Sequence, residues 1–269
     1  MKCFYNIDFS KTTILEVIIS CLKKIKKNFP KKSILFNLKS KLKEIRKEIN
    51  FEKDMKNKLK KLLKFFYYKW KFREMDGKYN ITDSLWLDKV IESKKGISFS
   101  LGIILLFFSK KLKIPLKLVV FPTQIILKIK ISNKKVLFID PNNGNFLSIR
   151  LLSLWLKGNF NSSALLYDKY LKKANYQDVL KKFLNSLKSS LMEEKKVELA
   201  LKVSNILLKI SPKDPYEIRD RGLIYAQLKC YNVAIKDLSY FIKNCPNDPI
   251  SDIIKLKIES ISKEFHIFH

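Results

Sequence analysis

Residues 96–144 have the sequence GISFSLGIILLFFSKKLKIPLKLVVFPTQIILKIKISNKKVLFIDPNNG, and this stretch decides the fold. A glycine and two hydroxyl residues precede an almost wholly apolar segment, which has the length of a buried helix and ends at Pro115. Runs rich in branched and aromatic residues follow at 116–121, 124–131 and 135–140. A Pro-Asn-Asn-Gly turn closes the stretch. The pattern therefore predicts one buried helix followed by three antiparallel strands.

Apolar residues recur at helical spacing on the N-terminal side of this stretch. Three segments combine an apolar stripe with a lysine-rich face, and they occupy residues 14–25, 33–49 and 51–70. Thr82 and Asp83 predict the cap of a further short helix at 84–92. We therefore expect a helical region at 1–80, followed by a core domain at 81–160.

The C-terminal part repeats itself with a period of 34 residues. Four pairs of identical residues have this separation: Ala200 and Ala234, Pro212 and Pro246, Asp214 and Asp248, Pro215 and Pro249. The period is typical of tetratricopeptide (TPR) helix pairs. We expect residues 161–269 to be helical from Ser162 onward, with repeats at about 181–214 and 215–248 and a cap at 249–265.

The repeat at 215–248 fits the TPR pattern in detail. Small residues are expected where its two helices cross, bulky residues at packing positions, and proline after the second helix. The residues concerned are Gly222 and Ala234, then Tyr225, Leu238 and Phe241, then Pro246. In the preceding repeat, Lys188 replaces the expected glycine.

Composition limits the function classes. The formal net charge is +30, yet only five of the 55 basic residues are arginine, and lysine, isoleucine, asparagine and phenylalanine are all abundant. That joint bias is typical of an AT-rich genome, so we attribute the charge to compositional drift and keep nucleic-acid binding as an alternative. No apolar run reaches the roughly 20 residues that span a bilayer.

The cysteines and histidines predict neither a disulfide framework nor a zinc site. The four cysteines show no Cys-x-x-Cys spacing, and both histidines, His266 and His269, lie at the extreme C-terminus. The N-terminus shows no pattern of a secretory signal peptide. We expect a cytoplasmic bacterial protein with reduced thiols and without a metal or cofactor.

Three phrases carry a resemblance to a known family. They are NITDSLWLDKVIESKKGISFSLGIILLFFSKKLKIPLKLVVFPTQIILKI at 80–129, IDPNNG at 139–144 and DPYEIRDRGLIYAQL at 214–228. With them the chain resembles, over nearly its whole length, the SirB-type bacterial family, in which a transglutaminase-like domain is fused to TPR-like helices. The resemblance implies an α+β fold: an N-terminal helical region, a papain-like core with a small antiparallel sheet, and C-terminal helical repeats.

The resemblance also implies positions for a catalytic triad. Active transglutaminase-like enzymes have a cysteine at the start of the buried helix, a histidine on the next strand and an aspartate before proline. The matching residues here are Ser98, Gln124 and Asp140, with Ser100 as the alternative to Ser98. A serine hydroxyl needs a general base, and the Gln124 amide cannot accept a proton at neutral pH. The triad is therefore predicted to be degenerate.

We expect these residues to have structural roles. Ser98 or Ser100 caps the buried helix, Gln124 bonds neighbouring backbone at the start of a strand, and Asp140 organises the following turn. The alternative is a residual serine hydrolase or acyltransferase, with Lys94 or Lys95 as the base.

The favoured hypothesis is a non-catalytic module that binds an unknown protein partner through its TPR-like helices. Arg219 and Arg221 are predicted to face that partner. The alternative for these two arginines is pairing on the helix surface with Glu217 and Asp220.

Overall fold

A computed structural model describes residues 8–9, 11–132 and 135–267, with side chains up to Lys263. The chain divides into two compact units. The core unit comprises residues 8–23 and 27–180, and the repeat unit comprises 181–269 together with Lys24–Lys26. The domain boundaries expected at residues 80 and 160 stay predictions. No helix in the described ranges is both long enough and apolar enough to cross a membrane.

The N-terminal part of the core unit is helical, as predicted. Its helices are α1 (Ile14–Ile25), α2 (Lys31–Ile49), α3 (Met55–Leu63), a π-helical turn (Lys64–Lys69), α4 (Ile81–Leu85) and α5 (Leu87–Ser93). The single helix expected at 84–92 is wrong, because Trp86 is extended and separates α4 from α5. The indole is buried and packs near the ring of Phe29, so tertiary contact outweighs the continuous helical pattern.

The predicted buried helix and three strands are confirmed. Helix α6 (Ser98–Lys111) is followed by β3 (Lys117–Val120), β4 (Ile125–Ser132) and β5 (Lys135–Ile139), to which the sequence analysis had not added β6 (Phe146–Leu147). The strands pair antiparallel in the order β3-β4-β5-β6. A separate two-residue pair, β1 (Arg73–Glu74) and β2 (Lys95–Gly96), is parallel. The fold is therefore α+β.

The four-stranded sheet is covered on both faces. One face meets α6, where Gly102 lies so close to Ile125 that an added Cβ would be 3.5 Å from the isoleucine side chain. The adjacent Ile126 belongs to the cluster on the other face, with Val119, Phe121, Phe138, Leu147, Leu152 and Leu156. The last two residues lie on α7 (Ile149–Asn159). Neighbouring residues of β4 thus point alternately to α6 and to the cluster on the other face. This alternation fixes the register of β4.

The expectation of continuous helix from Ser162 is wrong. Between α7 and α8 (Tyr176–Glu193) the chain has one 3₁₀ turn, Asp168–Leu171, and otherwise irregular structure. Side chains in this segment pack against the sheet-face cluster, and its backbone bonds the sheet: the Ala174 amide donates to the Leu118 carbonyl at 2.8 Å. The segment thus packs on the sheet without forming a continuous helix.

The repeat unit continues with α9 (Val197–Ile210), α10 (Pro215–Gln227), α11 (Tyr231–Asn244) and α12 (Ser251–Ile267). The repeated aspartates both bond the amide two residues later, but only one of them caps a helix. Asp214 is the N-cap of α10 and accepts from the Tyr216 amide at 3.1 Å. Asp248 accepts from the Ile250 amide at 2.9 Å in the turn before α12.

The two repeats differ in which helix carries the small residue at the paired positions. In the second repeat, a Cβ on Gly222 would lie 3.0 Å from Leu238, so the small residue is on the first helix. The 34-residue period equates this pair with Lys188 and Ser204 in the first repeat. There the large residue is on the first helix, and the small, fully buried Ser204 is on the second. At this pair of positions the small residue is thus Gly222 in the second repeat and Ser204 in the first.

Five lysines, and no other non-glycine residues in the described ranges, have positive φ angles: Lys71, Lys94, Lys113, Lys195 and Lys229. The chain has only six glycines, so lysine fills positions after helices where glycine is usual. An L-residue in this conformation costs roughly 1–2 kcal/mol, which exceeds the entropy cost of about 0.5–1 kcal/mol that glycine brings.

We expect Lys229→Gly to stabilise the repeat unit by about 0.5–1 kcal/mol, because Lys229 follows α10 with φ 59°. Hydrogen exchange of the α10 and α11 amides measures the change. Lys236→Gly is the matched control, since this exposed lysine lies inside α11 and the substitution should cost about 1 kcal/mol. Equal losses for both variants would contradict the prediction.

Candidate functional site

Helix α6 begins at Ser98, the residue that the resemblance equates with a catalytic cysteine. Ser98 is partly buried, and its side chain makes no hydrogen bond to the described part of the chain. Ser100 is fully buried, and its hydroxyl both accepts from the Ile97 amide and donates to the Ile97 carbonyl, each at 3.2 Å. The capping role expected of either serine therefore belongs to Ser100, which reaches back to the residue before the helix.

The neighbours of all three triad positions meet around Gly102. This glycine lies one helical turn after Ser98, and an added Cβ would be 3.5 Å from Ile125 and 3.4 Å from Pro141. Ile125 directly follows Gln124, and Pro141 directly follows Asp140. Residues next to two of the predicted triad positions therefore contact α6, and the triad itself stays a prediction from the resemblance.

Gln124 lies at the bend before β4 and is partly buried. The backbone bond expected of its side chain is not found, because the amide makes no hydrogen bond to any described residue. An uncharged amide with neither a partner nor a titratable proton cannot activate a nucleophile.

Asp140 organises its turn, and it also faces a second acid. The turn bonds run from the Asn142 amide to Oδ1 at 2.9 Å and from the Gly144 amide to the Asp140 carbonyl at 2.8 Å. Glu74 Oε1 accepts from Asn142 Nδ2 at 3.1 Å. Tyr67 donates its hydroxyl to the Pro141 carbonyl at 2.7 Å. We call Tyr67, Glu74, Asp140 and Asn142 the carboxyl cluster.

The carboxyl cluster disfavours negative charge. Burial raises the pKa of Asp140, and the bond from the Asn142 amide offsets this only in part. Burial and then the charge of Asp140 raise the pKa of Glu74, and the same two causes raise the pKa of the Tyr67 hydroxyl. The Asn142 Oδ1 atom is buried without a hydrogen-bond partner among the described residues. Two acids with raised pKa values and an unsatisfied amide are costly for stability.

Because the folded-state pKa of Asp140 is raised, its protonated form stabilises the fold, and that stability is lost as pH rises from about 4 toward neutrality. Asp140→Asn mimics the protonated form. We compare the free energy of unfolding of the variant with that of the wild type at each pH. The difference should favour the variant more at pH 7 than at pH 4. Thermal unfolding followed by tryptophan fluorescence measures this, since Trp70, Trp86 and Trp155 all lie in the core unit.

Asp76→Asn is the matched control for Asp140→Asn. A hydrogen bond from Lys95 lowers the pKa of Asp76, so this carboxylate stabilises the fold above its unfolded pKa and the contribution is lost as pH falls. The same difference for the control should therefore disfavour the variant more at pH 7 than at pH 4. The same pH dependence in both variants would refute the assignment to Asp140.

Neither lysine proposed as an alternative base contacts Ser98 in the described structure. The Lys95 ammonium lies 2.6 Å from Asp76. The Lys94 ammonium donates to the Ile91 carbonyl and lies 5.3 Å from the Phe72 ring centre. Both ammonium groups have other partners, so the structure offers no serine–lysine pair.

A buried ion cluster lies between α8 and α10 in the repeat unit. The Lys188 ammonium is 2.7 Å from Glu217 and 2.7 Å from Asp220, and Asn185 donates to Glu217 at 2.8 Å. The lysine that replaces the expected glycine therefore neutralises two acids of the next repeat. Sequence reasoning identified the departure at 188 but not its partners.

Both arginines predicted to face a partner have carboxylates within the chain. Arg219 donates to Asp220 at 2.7 Å and lies over the rings of Tyr216 and Phe241. Arg221 donates twice to Asp237, at 2.6 and 2.8 Å. The alternative pairing is thus found for Arg219 and Asp220, but Arg221 pairs with Asp237, since Glu217 is held by Lys188. A role of either arginine in partner binding stays a prediction.

Comparison with known families divides the chain near residue 186. Residues 32–185 match the family described as the transglutaminase-like superfamily, and residues 187–259 match the tetratricopeptide repeat. The first match covers more than half of the chain. The chain belongs to the transglutaminase-like superfamily. The resemblance read from the sequence is confirmed.

Curated bacterial relatives match over the full length of both chains. The chain is 50% identical over 269 residues to a UPF0162 protein of Buchnera aphidicola subsp. Schizaphis graminum. It is 41% identical to UPF0162 protein YchA of Escherichia coli (strain K12) and 42% identical to Protein SirB1 of Salmonella typhimurium, over the same 269 residues. The chain therefore also belongs to the UPF0162/SirB1 family. No solved structure matches it.

Two members of the carboxyl cluster, Tyr67 and Glu74, were absent from the sequence prediction. Tyr67 lies within an aromatic run that reads as helix, and Glu74 lies in a two-residue strand. Both contact the turn after Asp140 from about 70 positions away in the chain. A single sequence carries no local signal for pairings of that separation.

Proposed function

We propose that this protein is a non-catalytic member of the transglutaminase-like superfamily that acts by binding a protein partner through its repeat unit. Gln124 carries the proposal, because it occupies the position of the catalytic histidine and cannot accept a proton. The sequence contains two histidines, His266 and His269, and neither lies among residues 8–180. A missing general base costs on the order of a hundredfold or more in rate.

The remaining triad positions support the same conclusion. A cysteine nucleophile depends on a thiolate stabilised by imidazole and by the helix start, whereas Ser98 offers a hydroxyl without a base. Asp140 is engaged by the amide of its own turn instead of orienting an imidazole. The transglutaminase-like fold is therefore proposed to persist here without the proton-transfer groups that the chemistry needs.

The last helix supports partner binding. Terminal helices of repeat arrays are normally polar on their outer face. On α12, however, Ile253 is 64% exposed and Leu256 is 66% exposed, and Ile250 just before the helix is also exposed. Adjacent exposed apolar side chains of this kind are typical of interaction surfaces.

The enzymatic half of the proposal is tested with purified protein. We expect no transglutaminase, peptidase or amidase turnover above that of a Ser98→Ala variant. Turnover in the wild-type protein that Ser98→Ala abolishes would establish a serine enzyme and overturn the proposal.

The binding half is tested by affinity purification of the tagged full-length protein from its own cells. Partners captured by the wild type should be lost with Ile253→Asp/Leu256→Asp. The matched control is Lys257→Asp, which introduces the same acid at an exposed position of α12. Partners retained by the double variant, or lost equally with the control, would contradict recognition through this helix.

A further inference from the structure

The core unit contains a cavity of about 480 Å³ beside the carboxyl cluster. Its lining residues are Tyr67, Lys71, Arg73, Ser93 and Lys94. The volume lies within the range of about 300–1,000 Å³ that small-molecule sites occupy. Tyr67 is shared with the carboxyl cluster: its hydroxyl binds the Pro141 carbonyl, and its ring forms part of the cavity wall.

Backbone pairing of β1 with β2 brings the lining residues together. The Arg73 amide donates to the Lys94 carbonyl at 2.9 Å, and the Met75 amide donates to the Gly96 carbonyl at 2.8 Å. Segments 71–75 and 93–96 therefore run side by side. The second segment continues directly into the start of α6.

The cavity carries positive charge that the described residues neutralise only in part. Lys71 has no ion-pair partner among them. The Lys94 ammonium donates to a backbone carbonyl, and the charge of Glu92 acts on it without an ion pair between the two side chains. Arg73 is 3.8 Å from Asp76, but that carboxylate is already bound by Lys95 at 2.6 Å.

Lys94 is the cavity cation whose charged form is disfavoured. Burial and then the nearby charge of Lys41 lower the pKa of Lys94, and Glu92 offsets this only in part. An anion close to the Lys94 ammonium would favour its charged form. Lys71 and Arg73 are exposed, so both are open to a ligand that arrives from solvent.

Lysine abundance alone does not explain this cavity. Lys71 and Arg73 are exposed, as are many lysines on the helix faces of the chain. Here the cations line a concavity with an aromatic wall and include Arg73, although only five of the 55 basic residues are arginine. The planar guanidinium fork is the side chain that matches phosphate oxygens in pairs.

We propose that this cavity binds a small phosphorylated ligand, whose phosphate group contacts Lys71, Arg73 and Lys94. The guanidinium of Arg73 binds two phosphate oxygens, and the two ammonium groups contact the remaining oxygen and neutralise the dianion. The Tyr67 ring packs against the organic part of the ligand. This site goes beyond the proposed partner binding and does not depend on it.

The test is isothermal titration of the full-length protein with inorganic phosphate at fixed ionic strength. We expect saturable binding of one phosphate per chain, and at least tenfold weaker binding by Lys71→Gln/Arg73→Gln. The control is Lys27→Gln/Lys32→Gln, which removes the same charge from two exposed lysines of the core unit and should bind like the wild type. It separates this site from unspecific attraction of anions by the +30 chain.

Three results would overturn the proposal: no saturable binding by the wild type, unchanged affinity of the cavity variant, or equal weakening of both double variants. Tryptophan fluorescence reports whether each variant is folded. If the cavity variant does not fold, Arg73→Lys decides, because it keeps the charge and removes the fork. A several-fold loss of affinity is then expected, and unchanged binding contradicts the site.

Discussion

Replacing Lys188 with methionine is expected to destabilise the repeat unit by about 3 kcal/mol. The side chain is only 5% exposed, and its ammonium is bound by Glu217 and Asp220. Removal of one partner from a buried ion cluster typically costs 3–5 kcal/mol, since the remaining charge stays desolvated. Asn185 still bonds Glu217 and Arg219 still bonds Asp220 in the variant, which places the effect at the lower end.

Hydrogen exchange of the α9, α10 and α11 amides measures the effect of Lys188→Met directly. Tryptophan fluorescence reports on the core unit, because all three tryptophans lie there. Lys202→Met is the matched control, since Lys202 is exposed on α9 and its loss should change stability by less than about 0.5 kcal/mol. If both variants exchange alike, Lys188 is not the neutralising group.

Gly144→Ala is the second large effect, with an expected loss of about 3 kcal/mol in the core unit. Gly144 has a φ of 79°, and an added Cβ would lie 2.4 Å from Tyr67 Cε2. The left-handed conformation costs an alanine roughly 1–2 kcal/mol, and overpacking adds roughly 1–3 kcal/mol. Tyr67 cannot move aside without losing its hydrogen bond to the Pro141 carbonyl.

Gly77→Ala separates the two causes. Gly77 has a similar φ of 72°, but nothing lies within 4 Å of its added Cβ, so this variant should lose only about 1 kcal/mol. Urea unfolding followed by tryptophan fluorescence compares the two. In a Tyr67→Ala background, the extra cost of Gly144→Ala should disappear. Equal losses for the two glycine variants would show that Tyr67 does not restrict the turn.

Local pattern was sufficient for the central part of the fold. The apolar run that ends before Pro115 and the three branched runs each specify an element within a few residues, and the structure has all four. The failures have a common physical cause. Trp86 breaks a helical pattern because its indole is buried, and residues 161–175 are irregular because they bond the sheet instead.

The candidate site likewise combines residues that the sequence indicates with residues that only tertiary contact reveals. Ser98, Gln124 and Asp140 were found through resemblance to a family, and the structure brings their neighbours together at Gly102. Tyr67 and Glu74 act across about 70 residues of sequence, so no periodicity or spacing indicates them. Lys188 was visible as a departure from a repeat pattern, yet its partners lie 29 and 32 residues away.

The burial of α6 has a consequence for the synthesis of the protein. All residues from Phe99 to Ser109 are buried, and the sheet strand that meets this helix follows it in the chain. A ribosome therefore releases an apolar helix before its covering strands exist. Until about residue 139 has emerged, the nascent chain presents this surface to chaperones or to other nascent chains, and messages truncated within β4 should yield aggregating products.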